Sequence, residues 1–242
     1  MTKQDKQPYT YLRTHYRFLI SIFLIIIGII VSLLLPDIIL RKEIGLEIKA
    51  TWSPFLFTLS WIFLLIGIMI FLKKRTRMIL YGITVGLSNI TVILQDLFLN
   101  SQDKMVQVES FLTVFKIKNV SIDTNIIIGS VISLVIMVIT LILLKKQEEF
   151  HLDHYQKIYS LLITIILVGL CKGSATTLLG PEMISKSGRE IDPNLFEKNT
   201  YLARKNITKT MKISGVYEET YRSICEWLGK EYEKRNLEEE SL

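Results

Sequence analysis

The chain has 242 residues, of which 50% are hydrophobic, and it carries a formal net charge of +6. Its apolar residues are gathered into five long runs, which excludes an ordinary soluble globular protein and predicts a polytopic membrane protein. Because Lys and Arg gather beside these runs, the positive charge indicates membrane topology and contact with anionic lipid, and no nucleic-acid partner is expected.

The five runs occupy residues 18–35, 53–72, 78–99, 125–144 and 158–179. A hydrocarbon layer about 30 Å thick needs roughly 20 helical residues, so each run is predicted to be a membrane-spanning helix. The fifth run is the weakest, because Lys172, Gly173 and Ser174 interrupt it. The predicted fold class is an all-α integral membrane protein, with a five-span helical bundle over residues 18–180 and a short helical extracytoplasmic tail.

The distribution of Lys and Arg predicts the orientation of the bundle. The arm of residues 1–17 and the loops after the second and fourth runs carry eleven Lys and Arg, against six in the two alternate loops. Loops rich in Lys and Arg stay in the cytoplasm. The N-terminus is therefore expected in the cytoplasm, and five crossings place the C-terminus on the opposite side of the membrane.

The second outer loop contains apolar residues at helical spacing, including Met105, Val108 and Phe115. This pattern predicts an amphipathic helix near residues 104–116 that lies on the outer membrane surface.

Residues 181–242 form a tail that is too short to bury a core of its own. Asp192 followed by Pro193 predicts a helix start, and Ser214-Gly215 predicts a break before a second helix. The second helix carries an apolar stripe of five residues at helical spacing, which are Tyr217, Tyr221, Ile224, Leu228 and Tyr232. Such a stripe is expected to dock a protein partner or a second copy of the chain on the extracytoplasmic side.

Two ionisable side chains lie inside the predicted runs, Asp96 and Lys172. Both lie toward the outer ends, so they are candidates for an interhelical ion pair. The alternatives are two separately hydrated interfacial residues, or part of a proton or ion path.

Glycines at small-xxx-small spacing, Gly82 with Gly86 and Gly169 with Gly173, predict close contacts of the third and fifth spans with neighbouring helices. No catalytic motif, cofactor-binding motif or phosphate loop is present in the sequence. The acidic and histidine residues at 148–154 do not supply the four converging ligands that a structural zinc site requires. The chain is therefore expected to be non-enzymatic, with neither a cofactor nor a metal.

Residues 190–215 read EIDPNLFEKNTYLARKNITKTMKISG. This segment resembles the stretch that follows the last span in the large bacterial membrane proteins of uncharacterised protein family 0182. The residues that fall on the family pattern are Pro193, Asn194, Glu197, Lys198, Tyr201, Asn206, Ile207, Thr210 and Gly215. Family members have more spans and a large extracytoplasmic domain after this motif, so the resemblance implies a shortened relative in a bacterial plasma membrane with its tail outside. It implies no activity.

Three functions fit these features. The first is a scaffold or docking subunit that acts through its outer tail helices. The second is a transporter or channel subunit that lines a path with Ser88, Asn89 and Asp96 of the third span. The third is an immunity or exclusion protein that shields the cell from a membrane-active toxin.

Overall fold

A computed structural model describes residues 7–45, 51–102, 105, 121–147, 154–180, 201 and 207–240 of the chain. These residues form six helices and no strand. The helices are α1 (Gln7–Glu43), α2 (Ser53–Phe71), α3 (Lys74–Gln102), α4 (Thr124–Lys146), α5 (His154–Leu178) and α6 (Ile207–Glu240). The prediction of an all-helical protein is confirmed for this part of the chain.

Five of these helices are long and apolar enough to cross a membrane, and each of them overlaps one of the predicted runs. Their outward sides carry exposed Ile, Leu and Val side chains, most densely on α4 and α5. So large an apolar surface is unfavourable in water but matches lipid hydrocarbon. These features suggest a multi-pass membrane protein.

Helix α1 continues beyond its predicted end at Leu35, through Pro36, to Glu43. A proline inside a helix has no N–H for the carbonyl four residues earlier, which here belongs to Ser32. The Ser133 hydroxyl of α4 donates to that carbonyl at 2.6 Å. Because a neighbouring helix occupies the freed acceptor, the helix extends across the proline.

The close approaches between helices occur at glycines other than the predicted ones. A Cβ built on Gly28 of α1 would lie 2.1 Å from Thr140 Oγ1, and one on Gly67 of α2 would lie 2.3 Å from Thr164 Cγ2. In contrast, a Cβ on any of the four glycines in the predicted pairs would meet no atom of the described residues within 4 Å. The prediction of tight contacts at those pairs is wrong, because the spacing occurs on helix sides that no neighbour approaches.

The helices alternate in direction, so their connections gather at two ends of the bundle. At one end the Lys74 ammonium donates to the carbonyl of Gln147 at 2.5 Å, which joins the α2–α3 and α4–α5 connections. At the other end the Ser53 hydroxyl, at the start of α2, donates to the Ala175 carbonyl near the end of α5 at 3.0 Å. We call the second end the tail end, because α6 packs there against α1, α2 and α3.

Helix α6 is kinked at Gly215, whose φ of 80° and ψ of 166° are not helical. Residues 207–214 form its first arm and residues 216–240 its second, so the predicted break after Ser214 is confirmed. Of the predicted helix from Pro193 to about Ile213, the structure describes Tyr201 and residues 207–213, which are helical. Of the outer amphipathic helix near 104–116, it describes Met105 alone. Met105 is buried, and its N–H donates to Thr208 Oγ1 of the first arm at 2.9 Å.

Candidate functional site

The candidate site is the place where α6 packs into the tail end of the bundle, which we call the seat of α6. Two buried carboxylates and a cluster of hydrogen bonds hold the helix there. One carboxylate belongs to α1 and holds the kink of α6. The other belongs to α6 and is held by α2 and α5.

The first carboxylate, Asp37, is completely buried. Its Oδ2 pairs with Arg41 one turn later, at 2.9 Å from Nη2, and accepts from Thr58 Oγ1 at 2.8 Å. Its Oδ1 accepts from the backbone N–H of Val216 at 2.8 Å. Val216 is the first residue of the second arm, so Asp37 acts from another helix as an N-terminal cap and opposes the helix dipole.

Only glycine fits the kink. The positive φ of Gly215 is unfavourable for residues with a side chain. A Cβ at this position would also lie 2.8 Å from Thr58 Oγ1 and 3.3 Å from Asp37 Oδ1. The backbone therefore approaches the carboxylate closely because no side chain intervenes.

Lys212 of the first arm donates hydrogen bonds to backbone carbonyls at the end of α1. Its ammonium donates to the carbonyl of Arg41 and, at 2.6 Å, to that of Ile44. Arg41 lies in the last turn of α1 and Ile44 directly follows the helix, where acceptors lack intrahelical donors and a positive charge is favourable. Burial, and then the nearby charge of Arg41, lower the pKa of Lys212.

The second carboxylate is Glu218 of α6, which is only 2% exposed. It accepts from Lys172 Nζ at 3.1 Å, from Trp61 Nε1 at 3.0 Å and from the Tyr201 hydroxyl at 2.9 Å. Lys172 also lies 5.6 Å from the centroid of the Trp61 ring, within cation–π range. Three segments of the chain thus converge on one charge of α6.

This arrangement replaces the predicted ion pair between Asp96 and Lys172. Lys172 pairs with Glu218, whereas Asp96 is buried and accepts from the backbone N–H of Asp123 at 2.8 Å. The physical reason is helix adjacency, since α5 packs along α2 while Asp96 faces the start of α4. There the Asp96 carboxylate opposes the α4 dipole, and the Asp123 side chain caps the same helix by accepting from the Asn125 N–H at 2.6 Å.

Tyr201 links the tail to α2. The Tyr201 ring stacks on Phe57, with ring centroids 5.2 Å apart. The guanidinium of Arg222, on α6, lies 4.3 Å from the centroid of the Tyr201 ring. Arg222 also donates to the Tyr201 carbonyl at 2.6 Å. Burial, and then the charge of Glu218, raise the pKa of the Tyr201 hydroxyl, which therefore stays protonated and donates to Glu218.

The third-span residues considered for a transport path contact other helices. Ser88 hydrogen-bonds the Tyr217 hydroxyl, which in turn donates to the Leu33 carbonyl at 2.7 Å. Asn89 Nδ2 donates to Ser133 Oγ at 3.0 Å. Bonds of this kind between buried polar groups hold helices together in a membrane.

The predicted docking stripe is divided between two environments. Tyr217 packs into the bundle, whereas Tyr221, Ile224 and Leu228 are exposed and the side chain of Tyr232 lies outside the described part. Trp227, which sequence reasoning did not include, is exposed beside them. Within residues 216–223 the acidic side of α6 faces the bundle, with Glu218 and Glu219 buried. Tyr221 of the apolar side is about half exposed, and its ring centroid lies 4.7 Å from that of Trp61 on α2.

Sequence reasoning missed Asp37, Arg41 and Glu218. The signal for the first two was present, because an acid and a base four residues apart share a face once α1 is continued through Pro36. Glu218 had no such signal, since its partners lie up to 157 residues away in the chain.

Among the described residues, no group of three or more His, Cys, Asp or Glu side chains could hold a metal ion. No family model matches the chain, and neither a curated protein nor a solved structure matches it. The resemblance to uncharacterised protein family 0182 therefore stays a prediction.

Proposed function

We propose that this chain is a non-enzymatic scaffold of a bacterial plasma membrane. It docks a partner protein, or a second copy of itself, through the exposed stripe of α6, which consists of Tyr221, Ile224, Trp227 and Leu228. In this proposal the tail end is extracytoplasmic, in agreement with the distribution of Lys and Arg.

The observation that carries the proposal is the way α6 is held. Asp37 and Glu218 are buried charges, and burying a charge is favourable only when it is paired and hydrogen-bonded. Both carboxylates are satisfied by groups from several helices. The arrangement thereby sets the position of the second arm relative to the spans.

Membrane anchoring does not require these contacts, because five helices are already long and apolar enough to cross a bilayer. The second arm of α6 exposes aromatic and aliphatic side chains, which is the composition of a protein interface. In such interfaces Trp and Tyr are enriched among the few residues that contribute most of the binding energy. The stripe thus presents a defined surface to a partner.

The test is co-purification in mild detergent. A double variant, Tyr221→Glu with Leu228→Glu, is expected to release the partner or to convert a dimer to a monomer, as measured by pull-down and by size-exclusion chromatography with light scattering. Gly229→Glu is the control, since it adds a charge at an exposed position of the same arm where a Cβ would meet no described atom within 4 Å. Unchanged partner content and unchanged mass in the double variant would contradict docking through this stripe.

A further inference from the structure

A second feature lies at the end of the bundle opposite the tail. A groove of about 290 Å³ runs between α1, α2, α4 and α5. Its walls are aliphatic and include Ile26 and Ile29 of α1, Ile66 of α2 and Leu144 of α4. All four of these helices are long and apolar enough to cross a membrane, so the groove lies where lipid chains surround the protein.

The groove ends in polar residues at the α2–α3 and α4–α5 connections, among them Arg77, Gln147 and Gln156. Gln147 is 9% exposed, and its Nε2 has no hydrogen-bond partner within the described part of the chain. A buried amide donor without an acceptor is unfavourable by about 1–3 kcal/mol. A bound group with an oxygen acceptor would remove this cost.

The same end carries positive charge. Arg77 Nε donates to the Met69 carbonyl at 2.7 Å, which holds the guanidinium at the end of α2. The Lys74 ammonium is held on the carbonyl of Gln147 at 2.5 Å. Lys145 and Lys146 follow in the last turn of α4. An anionic headgroup is therefore favoured over a neutral one.

We propose that this groove binds one anionic glycerophospholipid. An acyl chain lies along the aliphatic walls, and a phosphate or ester oxygen accepts a hydrogen bond from Gln147 Nε2 near the charges of Arg77 and Lys74. A free phosphate ion would occupy the polar end alone and leave the aliphatic walls of the groove unfilled. A lipid supplies both the apolar chain and the oxygen acceptor.

Native mass spectrometry of the full chain in mild detergent tests this proposal, with phosphatidylglycerol and phosphatidylcholine as the added probes. The wild-type chain is expected to bind one phosphatidylglycerol more tightly than phosphatidylcholine. Ile26→Trp fills the groove and is expected to abolish that binding, whereas Ile27→Trp, on the exposed side of the same turn, is expected to leave it unchanged.

A second pair of variants tests the headgroup contact. Gln147→Leu is expected to weaken phosphatidylglycerol binding about 3- to 10-fold, which corresponds to one hydrogen bond. Lys146→Gln, at an exposed neighbouring position outside the groove, is expected to bind more tightly than Gln147→Leu. Circular dichroism without added lipid verifies that each variant folds. Equal binding of the two lipids by the wild type, or wild-type affinity in both Gln147→Leu and Ile26→Trp, would overturn the proposal.

Discussion

At the scale of single residues, Asp37 has the largest structural role in the seat of α6. Its buried carboxylate pairs with Arg41 at the end of α1 and accepts hydrogen bonds from the Thr58 hydroxyl of α2 and from the Val216 N–H at the start of the second arm of α6. Removing one member of a buried ion pair leaves an uncompensated charge, which is far more unfavourable than losing a neutral hydrogen bond. The stability of the tail should therefore depend on this charge.

We predict that Asp37→Asn lowers the free energy of unfolding by about 3 kcal/mol, because the Arg41 charge is left buried without its partner. Thr58→Val removes one hydrogen bond to the same carboxylate and should lower it by about 1 kcal/mol. The measurements are thermal unfolding in detergent and hydrogen exchange of the Val216 amide, which should exchange faster in Asp37→Asn. If the two variants show the same loss of stability, the charge of Asp37 is not what holds the kink.

At the scale of elements, the sequence predicted the five long helices well and their neighbours poorly. Each span is specified locally by roughly 20 apolar residues, so its existence can be predicted without knowing the rest of the fold. Helix contacts are not specified in this way, because sides that face lipid and sides that face another helix are equally apolar. This explains why the glycine pair at Gly82 and Gly86 was assigned to a contact that instead occurs at Gly28 and Gly67.

The candidate site was less predictable than the helices for the same reason. The kink at Gly215 could be predicted, since a glycine after a serine is a local signal. The pairing of Lys172 with Glu218 could not, because it depends on α5 and α6 both packing against α2. The predicted partner, Asp96, lies on a helix that turns this carboxylate toward α4.

Alanine substitutions at Gly28, Gly67, Gly82 and Gly86 allow a direct test of the helix contacts. Gly28→Ala and Gly67→Ala are expected to destabilise the bundle, because the new methyl group would lie within 2.1 Å of Thr140 and 2.3 Å of Thr164. Gly82→Ala and Gly86→Ala should be neutral or stabilising by about 0.5–1 kcal/mol, since alanine favours helix and their Cβ atoms meet open space. The readout is the thermal unfolding midpoint in one detergent. Destabilisation by the second pair would indicate a neighbour at those positions, such as another copy of the chain.

At the scale of the whole molecule, the two ends of the bundle have different chemistry. The tail end holds the buried carboxylates of Asp37, Asp96 and Glu218 together with α6. The opposite end gathers Lys73, Lys74 and the other basic residues of the α2–α3 and α4–α5 connections. Lys and Arg are retained on the cytoplasmic side of a membrane. This asymmetry therefore predicts that the groove proposed to bind lipid lies near the cytoplasmic face and that the exposed stripe of α6 lies on the extracytoplasmic side.

Cysteine accessibility in intact cells tests that orientation in a background with Cys171 and Cys225 replaced by serine. Single cysteines at Thr76 and Lys146, both exposed at the basic end, should be protected from a membrane-impermeant thiol reagent. Single cysteines at Gln102 and Gly229, both exposed on the side of the tail, should be labelled. Labelling at Gln102 without labelling at Gly229 would mean that α5 does not cross the membrane. The stripe of α6 would then lie in the cytoplasm, and an extracytoplasmic docking partner would be excluded.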